Sequence, residues 1–212
     1  MRRVEVRPRA DWRDRVESLG LLYHSHEDGS PYWQEGACYR FSAGQVDVLG
    51  RAAAELQRIC IEAVGRIIAE RRYEGFALPP WMVPVIEESW DRDEVSIYGR
   101  FDLAWDGRGM PRLLEYNADT PTSLVEAAIA QWYWLQEVEP AADQFNSLHE
   151  RLVEAWKRWD PGPEGAPVVF LSQDSVEARP TAAYLRATAH QAGLPTLQMN
   201  LEDLGRAEAR GC

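Results

Sequence analysis

The sequence predicts a mixed α/β protein, in which N-terminal helices and a β-hairpin are followed by the start of a βαβ unit. Three observations indicate this fold class. A long amphipathic pattern covers residues 41–72, an alternating pattern turns back on itself at "DGRG" (106–109), and a strand–helix–strand pattern begins at residue 168. A strand, a helix and a second strand in succession are typical of parallel sheets that helices cover.

The longest predicted helix follows Ser42. Ser42 and Gln45 form an S-x-x-Q capping box, in which two side chains satisfy free backbone N–H groups at the helix start. Apolar residues then recur at steps of three and four, which indicates one buried face. They are Val46, Leu49, Ala53, Leu56, Ile59, Ala63 and Ile67. The prolines of "LPPWMVP" (78–84) interrupt the pattern, and a short helix is expected around Val85 to Trp90.

A hairpin is predicted next, because apolar and polar residues alternate from Val95 to Trp105. "DGRG" supplies a turn, since Asp and Gly tolerate positive φ, and "MPRLLEYN" (110–117) returns as the partner strand. A helix is then predicted from about Thr120–Ser123 to Val138, and another within 141–159.

The clearest predicted boundary is "DPGPEGAP" (160–167), which consists of residues that break regular structure. We therefore expect a helical and hairpin region at 1–159, a linker at 160–167, and the start of a βαβ subdomain at 168–212.

In the βαβ subdomain, "VVFLS" (168–172) predicts a buried parallel strand. Residues 181–193 predict a helix closed by Gly193, and 195–200 a second strand. One such unit cannot cover both faces of its sheet, so we expect the architecture to be incomplete at residue 212.

The composition excludes several classes of protein. The 212 residues carry a formal net charge of −11, which argues against a nucleic-acid partner. No apolar run reaches the roughly 20 residues of a membrane helix, and the N-terminus lacks the apolar region of a secretory signal, so we expect a cytoplasmic protein. The three cysteines do not have the spacing of metal ligands.

Polar residues cluster in the predicted hairpin. Side chains two apart on a strand share a face, so Arg100 lies on the same face as Asp102, and Glu115 on the same face as Asn117. If the turn closes symmetrically around 106–109, Arg100 lies opposite Glu115, with Asp102 diagonal to it. A slip of one residue would separate the two pairs.

In this register, one face of the hairpin carries a candidate magnesium–phosphate site. Mg²⁺ prefers oxygen ligands, which Asp102, Glu115 and Asn117 offer. Arg100 suits a two-pronged contact with a phosphate or a carboxylate.

The helix that follows the hairpin is expected to begin at Thr120 or Ser123, where its free N–H groups would attract an anion. The alternative interpretation of the hairpin is structural. Arg100 and Glu115 then form a cross-strand ion pair on a solvated face, which contributes about 0.2–1 kcal/mol. The residues alone leave both interpretations open.

The amino-acid sequence of the hairpin nevertheless resembles that of a known family. "YGRFDLAWD" (98–106) followed by "LLEYNADTPTS" (113–123) is similar to the synthetase domain, an ATP-grasp ligase, of the glutathionylspermidine synthase family. "PYWQEGACYRFS" (31–42) and residues 171–204 carry the same resemblance. It implies a carbon–nitrogen ligase that uses ATP and Mg²⁺. In that family ATP phosphorylates the glycine carboxylate of glutathione, and a polyamine amine attacks the acyl phosphate to form an amide.

The resemblance assigns roles residue by residue. Three positions match the family's magnesium ligands: Asp102, Glu115 and Asn117. Arg100 matches the arginine that contacts the transferring phosphate and stabilises the reacting centre. Thr120 and Thr122 stand where the family has serines beside bound glutathione, and Ser123 stands where some members have cysteine.

The resemblance also implies an incomplete enzyme, the start of a pre-ATP-grasp-like subdomain without most of the nucleotide pocket. We therefore expect this chain alone to be inactive. Lys157, its one lysine, is interpreted as a solvated helix charge rather than a nucleotide ligand. The implied partners are small molecules, a glutathione-like peptide and a polyamine or other amine. The rival interpretations are a non-catalytic peptide- or magnesium-binding module derived from the family, and a magnesium-dependent hydrolase that uses Asp102 and Glu115.

Overall fold

The structure is a computed structural model that describes residues 1–119, 121–159 and 165–205. Its helices and two-stranded sheets confirm the predicted mixed α/β class. The strands are β1 (Arg2–Glu5), β2 (Ala37–Arg40), β3 (Arg100–Ala104), β4 (Arg112–Asn117), β5 (Val168–Ser172) and β6 (Thr196–Asn200). They pair two by two, as β1–β2, β3–β4 and β5–β6.

The α-helices differ widely in length. They are α1 (Trp12–Ser18), α2 (Ala43–Ala69), α3 (Met82–Asp91), α4 (Gln131–Val138), α5 (Leu148–Lys157) and α6 (Ala178–Gln191). A π-helix at Glu126–Ala130 leads directly into α4. Among the helices in the described part of the chain, none is both long and apolar enough to span a membrane.

The chain divides into two compact units. The first unit comprises Met1–Arg2 and Tyr39–Asp119, and the second comprises Arg3–Cys38 and Thr120–Cys212. The boundary predicted at 160–167 therefore falls within the second unit. Residues 160–164 lie outside the described residues, so the linker stays a prediction.

In the first unit, helix α2 begins where the sequence predicts. The Ser42 hydroxyl accepts a hydrogen bond from the Gln45 backbone N–H at 3.3 Å, and the Ser42 N–H donates to Gln45 Oε1 at 3.1 Å. The capping box is thus confirmed. Helix α3, expected around Val85 to Trp90, starts slightly earlier, at Met82.

The hairpin of the first unit is shorter than predicted. Strand β3 starts at Arg100 rather than at Val95, so that expectation was wrong. The reason is the partner strand: β4 ends at Asn117, which pairs with Arg100, so residues 95–99 extend beyond the end of their partner. The turn is as predicted, because Gly107 and Gly109 both have positive φ.

The second unit contains most of the buried apolar residues. Of the buried hydrophobic residues in the described chain, Ala52 alone belongs to the first unit. The aromatic part of this core joins three elements. The Trp156 ring on α5 lies 5.6 Å from that of Phe170 on β5, and its Nε1 donates to the Thr188 hydroxyl of α6 at 3.0 Å.

The predicted βαβ unit is confirmed, since β5 and β6 are parallel and α6 connects them. Helix α6 ends as the glycine predicts. Gly193 has φ +95° and donates its N–H to His190 O at 3.0 Å, while Leu194 N–H donates to Ala189 O at 3.2 Å. These two bonds form a Schellman motif, which satisfies carbonyls at the helix end.

The helix predicted within 141–159 is shorter in the structure, where α5 starts at Leu148. The residues before it are held by side-chain bonds to the π-helix. Gln144 Nε2 and Asn146 Nδ2 both donate to the Ala127 carbonyl, at 2.6 and 3.1 Å. This competing use of Gln144 and Asn146 explains why the helix begins late.

Candidate functional site

The four polar residues of the hairpin share one face, although the register differs from the predicted one. Arg100 pairs with Asn117 and Asp102 pairs with Glu115. The symmetric turn would instead place Arg100 opposite Glu115, so this part of the prediction was wrong.

Two shifts in the β3–β4 register, of one residue each, explain why the four polar side chains nevertheless share one face. Next to the turn, Leu103 pairs with Leu113, one residue away from the symmetric register. A bulge between Asp102 and Leu103 then adds a second residue, which leaves Leu114 without a partner in the ladder. A total shift of two returns the side chains to the same face, because side chains alternate with a period of two.

The four side chains are linked by a chain of contacts from Asp102 through Arg100 and Glu115 to Asn117. Arg100 holds Asp102 with two prongs: Nε lies 2.8 Å from Oδ1 and Nη2 lies 3.2 Å from Oδ2. Arg100 Nη2 also lies 4.0 Å from Glu115 Oε1. Asn117 Nδ2 donates to the same Glu115 oxygen at 2.8 Å. The cluster is partly open to solvent, since the Glu115 side chain is 60% exposed and that of Arg100 is 29% exposed.

Arg100 and Asp102 each stabilise the charged form of the other. The hydrogen bonds from Arg100 hold the pKa of Asp102 below its ordinary value of 3.8. In the opposite direction, the hydrogen bond to Asp102 raises the pKa of Arg100. Asp102 is therefore ionised at neutral pH, which is the state that a metal ligand needs.

The donor set fits a magnesium ion by its chemistry. It offers carboxylate oxygens from Asp102 and Glu115, and an amide oxygen from Asn117, which are hard ligands of the kind Mg²⁺ takes. No group of three or more His, Cys, Asp or Glu residues suited to a metal occurs among residues 1–119, 121–159 and 165–205. The set on the hairpin therefore depends on the Asn117 amide for its third oxygen.

The predicted substrate residues lie in the second unit. Thr122 and Ser123 precede a helical segment that starts at Leu124, and both are half-buried. Ser123 has a φ of +73°, and its carbonyl accepts the first helical hydrogen bond, from the Ala127 N–H at 3.2 Å. Thr120 lies outside the described residues, so its predicted capping and binding roles stay predictions.

Two residues near Ser123 were not predicted as site residues. The Tyr32 hydroxyl donates to Glu126 Oε1 at 2.9 Å, and the Ser123 hydroxyl is hydrogen-bonded to the Tyr32 phenol. Tyr32 lies in "PYWQEGACYRFS", one of the stretches that carry the family resemblance. That was a signal, but nothing in the sequence links Tyr32 to a helix 94 residues away.

Lys157 and the two histidines of the N-terminal loop, His24 and His26, have local partners. Lys157 Nζ lies 3.4 Å from Glu154 Oε2 on the exposed surface of α5, as its interpretation as a solvated helix charge predicts. His24 Nε2 lies 2.8 Å from Glu17 Oε1, and His26 Nδ1 lies 3.0 Å from the Tyr23 hydroxyl.

The fold and the sequence together define a domain of the pre-ATP-grasp class. The family model described as "Glutathionylspermidine synthase preATP-grasp" matches residues 3–212. The chain belongs to the glutathionylspermidine synthase family, as the resemblance predicted.

Three relatives support this assignment. A Haemophilus influenzae protein provisionally named an acid–amine ligase is 33% identical over 97% of this chain. The glutathionylspermidine synthase of Crithidia fasciculata is 27% identical over 84% of the chain, and the trypanothione synthetase of the same organism is 30% identical over 66%. The chain spans 54%, 26% and 22% of the lengths of these relatives, respectively.

Proposed function

We propose that this chain is part of an ATP-dependent acid–amine ligase, which joins the carboxylate of a glutathione-like peptide to a polyamine or another amine. The observation that carries the proposal is the shared face of the hairpin, where Asp102, Glu115 and Asn117 accompany Arg100. The names of the relatives, a ligase, a synthase and a synthetase, support the same reaction class.

In the proposed reaction, the peptide carboxylate attacks the γ-phosphorus of ATP and releases ADP. The amine then attacks the acyl phosphate, and inorganic phosphate leaves as the amide forms. The first step brings two negatively charged groups together, and in the second step negative charge develops on the carbonyl oxygen and the leaving phosphate. The protein therefore contributes mainly by positioning the reactants and by stabilising charge.

The hairpin residues would have different roles in this reaction. Asp102, Glu115 and the Asn117 amide would hold Mg²⁺, which when bound neutralises phosphate charge. Arg100 would contact the transferring phosphate. Its two-pronged contact with Asp102 fixes the plane of the guanidinium, so the group is oriented before a phosphate arrives.

The predicted substrate residues would contact the peptide. Thr122 and Ser123 carry hydroxyls that suit hydrogen bonds to a carboxylate or to an amide of the peptide. Thr120 has the same chemistry by its residue type. The methyl groups of Thr120 and Thr122 would leave less space for the peptide than serines would. They would therefore restrict which peptides can bind.

The test is ADP release by the full-length product of the gene, with Mg–ATP, glutathione and a panel of polyamines. ADP formation that requires both glutathione and one amine establishes the ligase and identifies its amine. ADP formation without any amine indicates a hydrolase instead. Binding of glutathione without ADP formation under any pairing overturns the proposal in favour of a binding module.

A further inference from the structure

Two unusual backbone features meet at the start of the helical segment that ends in α4. Ser123 has a φ of +73°, in the left-handed region that disfavours residues with a Cβ. The π-helix Glu126–Ala130 follows three residues later. Strained residues and π-helical turns persist only where surrounding contacts impose them, and they are frequent at functional sites.

The contacts that accompany this geometry converge on Tyr32. Its hydroxyl donates to Glu126 Oε1 at 2.9 Å and is also hydrogen-bonded to the Ser123 hydroxyl. One phenol thus links the left-handed residue to the first residue of the π-helix. On the carbonyl side, the Ala127 oxygen accepts from Gln144 and Asn146, which supports the π-helix independently of Tyr32.

Tyr32 is itself held firmly. Its backbone N–H donates to His24 O at 3.1 Å, and its ring lies 5.1 Å from the Tyr23 ring and 6.0 Å from the His26 ring. Burial raises the pKa of Tyr32 above its ordinary value of 10.0, while the hydrogen bond to Ser123 opposes that shift. The phenol therefore stays protonated at neutral pH and remains a hydrogen-bond donor.

Ser123 also borders open space. It lines a narrow crevice with, among others, Val125, Glu126 and Glu177, and the space open to a water molecule there is only about 10 Å³.

We infer that Tyr32 is a positioning residue: its hydroxyl, which contacts both the Ser123 hydroxyl and the Glu126 carboxylate, holds Ser123 in the conformation that receives the peptide substrate. The conformational part depends only on the contacts described above. The part that concerns the peptide rests on the proposed function, in which Ser123 binds a glutathione-like peptide.

The test compares Tyr32→Phe with Tyr23→Phe in the full-length protein. Both variants lose one phenol oxygen from the same aromatic group, but the Tyr23 hydroxyl contacts His26 Nδ1 rather than Ser123 or Glu126. In Tyr32→Phe we expect the KM for glutathione to rise roughly tenfold, as for one lost hydrogen bond to a charged group, with kcat and the KM for ATP near wild type. Tyr23→Phe should change none of these constants.

Hydrogen–deuterium exchange of residues 121–127 gives a readout that does not need catalysis. Exchange should be faster in Tyr32→Phe than in Tyr23→Phe or the wild type. Glu126→Gln keeps an acceptor for the Tyr32 hydroxyl and should exchange more slowly than Glu126→Ala.

The outcomes separate the two proposals. Unchanged exchange in Tyr32→Phe overturns the inference, whether or not the protein is a ligase. Faster exchange in a protein that forms no ADP leaves the positioning role standing and refutes the proposed function. Faster exchange with an unchanged glutathione KM in an active ligase shows that Tyr32 is structural only, which also overturns the inference.

Discussion

Arg100 contacts Asp102, its neighbour two residues along strand β3, through two hydrogen bonds of 2.8 and 3.2 Å. The pair lies on the same face as Glu115 and Asn117, so the guanidinium is oriented among oxygen donors without any ligand. Exposed ion pairs add little to stability, and the Asp102 side chain is 37% exposed. Substitutions here should therefore affect chemistry far more than folding.

Asp102→Asn tests that separation. It keeps the shape of the side chain but removes the charge that holds Arg100 and that would bind Mg²⁺. In the full-length protein, glutathione- and amine-dependent ADP formation should fall roughly 100-fold or more, as for the loss of a group that stabilises transition-state charge. At neutral pH the urea midpoint should fall only by the small amount that a partly exposed ion pair contributes.

The matched control for this variant is Glu62→Gln, which removes one carboxylate charge from the exposed Arg58 pair on α2. It should leave both activity and the urea midpoint unchanged. An Asp102→Asn protein that keeps full activity would show that Asp102 serves only as a partner for Arg100.

The Asp102–Arg100 pair also predicts a dependence of stability on pH. The folded-state pKa of Asp102 is lowered by Arg100, so the ionised form stabilises the fold above its ordinary value of 3.8. That contribution should disappear as the pH falls below 3.8 and through the lower folded-state pKa. Urea midpoints of wild type and Asp102→Asn should therefore converge in acid.

Arg100→Met supplies the control for the pH experiment, because it removes the cause of the pKa shift while Asp102 remains. Its acid profile should match that of Asp102→Asn, and the double variant should show no further change. A difference between wild type and Asp102→Asn that persists far below pH 3.8 would contradict the assigned cause.

The elements that the sequence predicts well are those with local causes. Helix α2 begins at a capping box formed by residues three apart, and α6 ends at a glycine that adopts positive φ. The ends of β3 could not be predicted in this way, since they depend on where β4 stops pairing. The late start of α5 depends on a distant carbonyl, that of Ala127.

In the candidate site, too, features with local causes were predicted from the sequence, and features that depend on distant residues were not. The period of two predicts that Arg100 shares a face with Asp102, and Glu115 with Asn117. That both pairs lie on one face depends on the register, which the turn and the bulge each change by one residue. The pairing of Tyr32 with Glu126 joins segments 94 residues apart. It depends on tertiary packing, which no local pattern in the sequence reports.

Gly99→Ala should destabilise the first unit. A Cβ at Gly99 would lie 2.7 Å from the Tyr116 ring. That ring cannot move aside easily, because it stacks on Phe101 at 4.1 Å and its hydroxyl donates to Gln57 Oε1 at 2.6 Å. We expect the free energy of unfolding, measured in urea, to fall by about 1–3 kcal/mol.

Gly50→Ala is the matched control for Gly99→Ala. Gly50 lies within helix α2, and a Cβ there would meet no atom within 4 Å. Alanine favours the helix over glycine, so this variant should be more stable by up to about 1 kcal/mol. A Gly99→Ala variant as stable as the wild type would show that the hairpin can shift its Tyr116 ring at little cost.

Ser123→Gly and Ser123→Ala separate the conformation of this residue from its hydroxyl. Both remove the bond to Tyr32, but only glycine adopts a φ of +73° without steric strain. The glycine variant should therefore be more stable in urea by about 1 kcal/mol. At Ala54, exposed on helix α2, the preference is reversed, and Ala54→Gly should lose about 0.5–1 kcal/mol. If alanine proves the more stable at position 123 as well, Ser123 does not hold the left-handed conformation in solution. The Tyr32 hydroxyl then has no strained turn to stabilise.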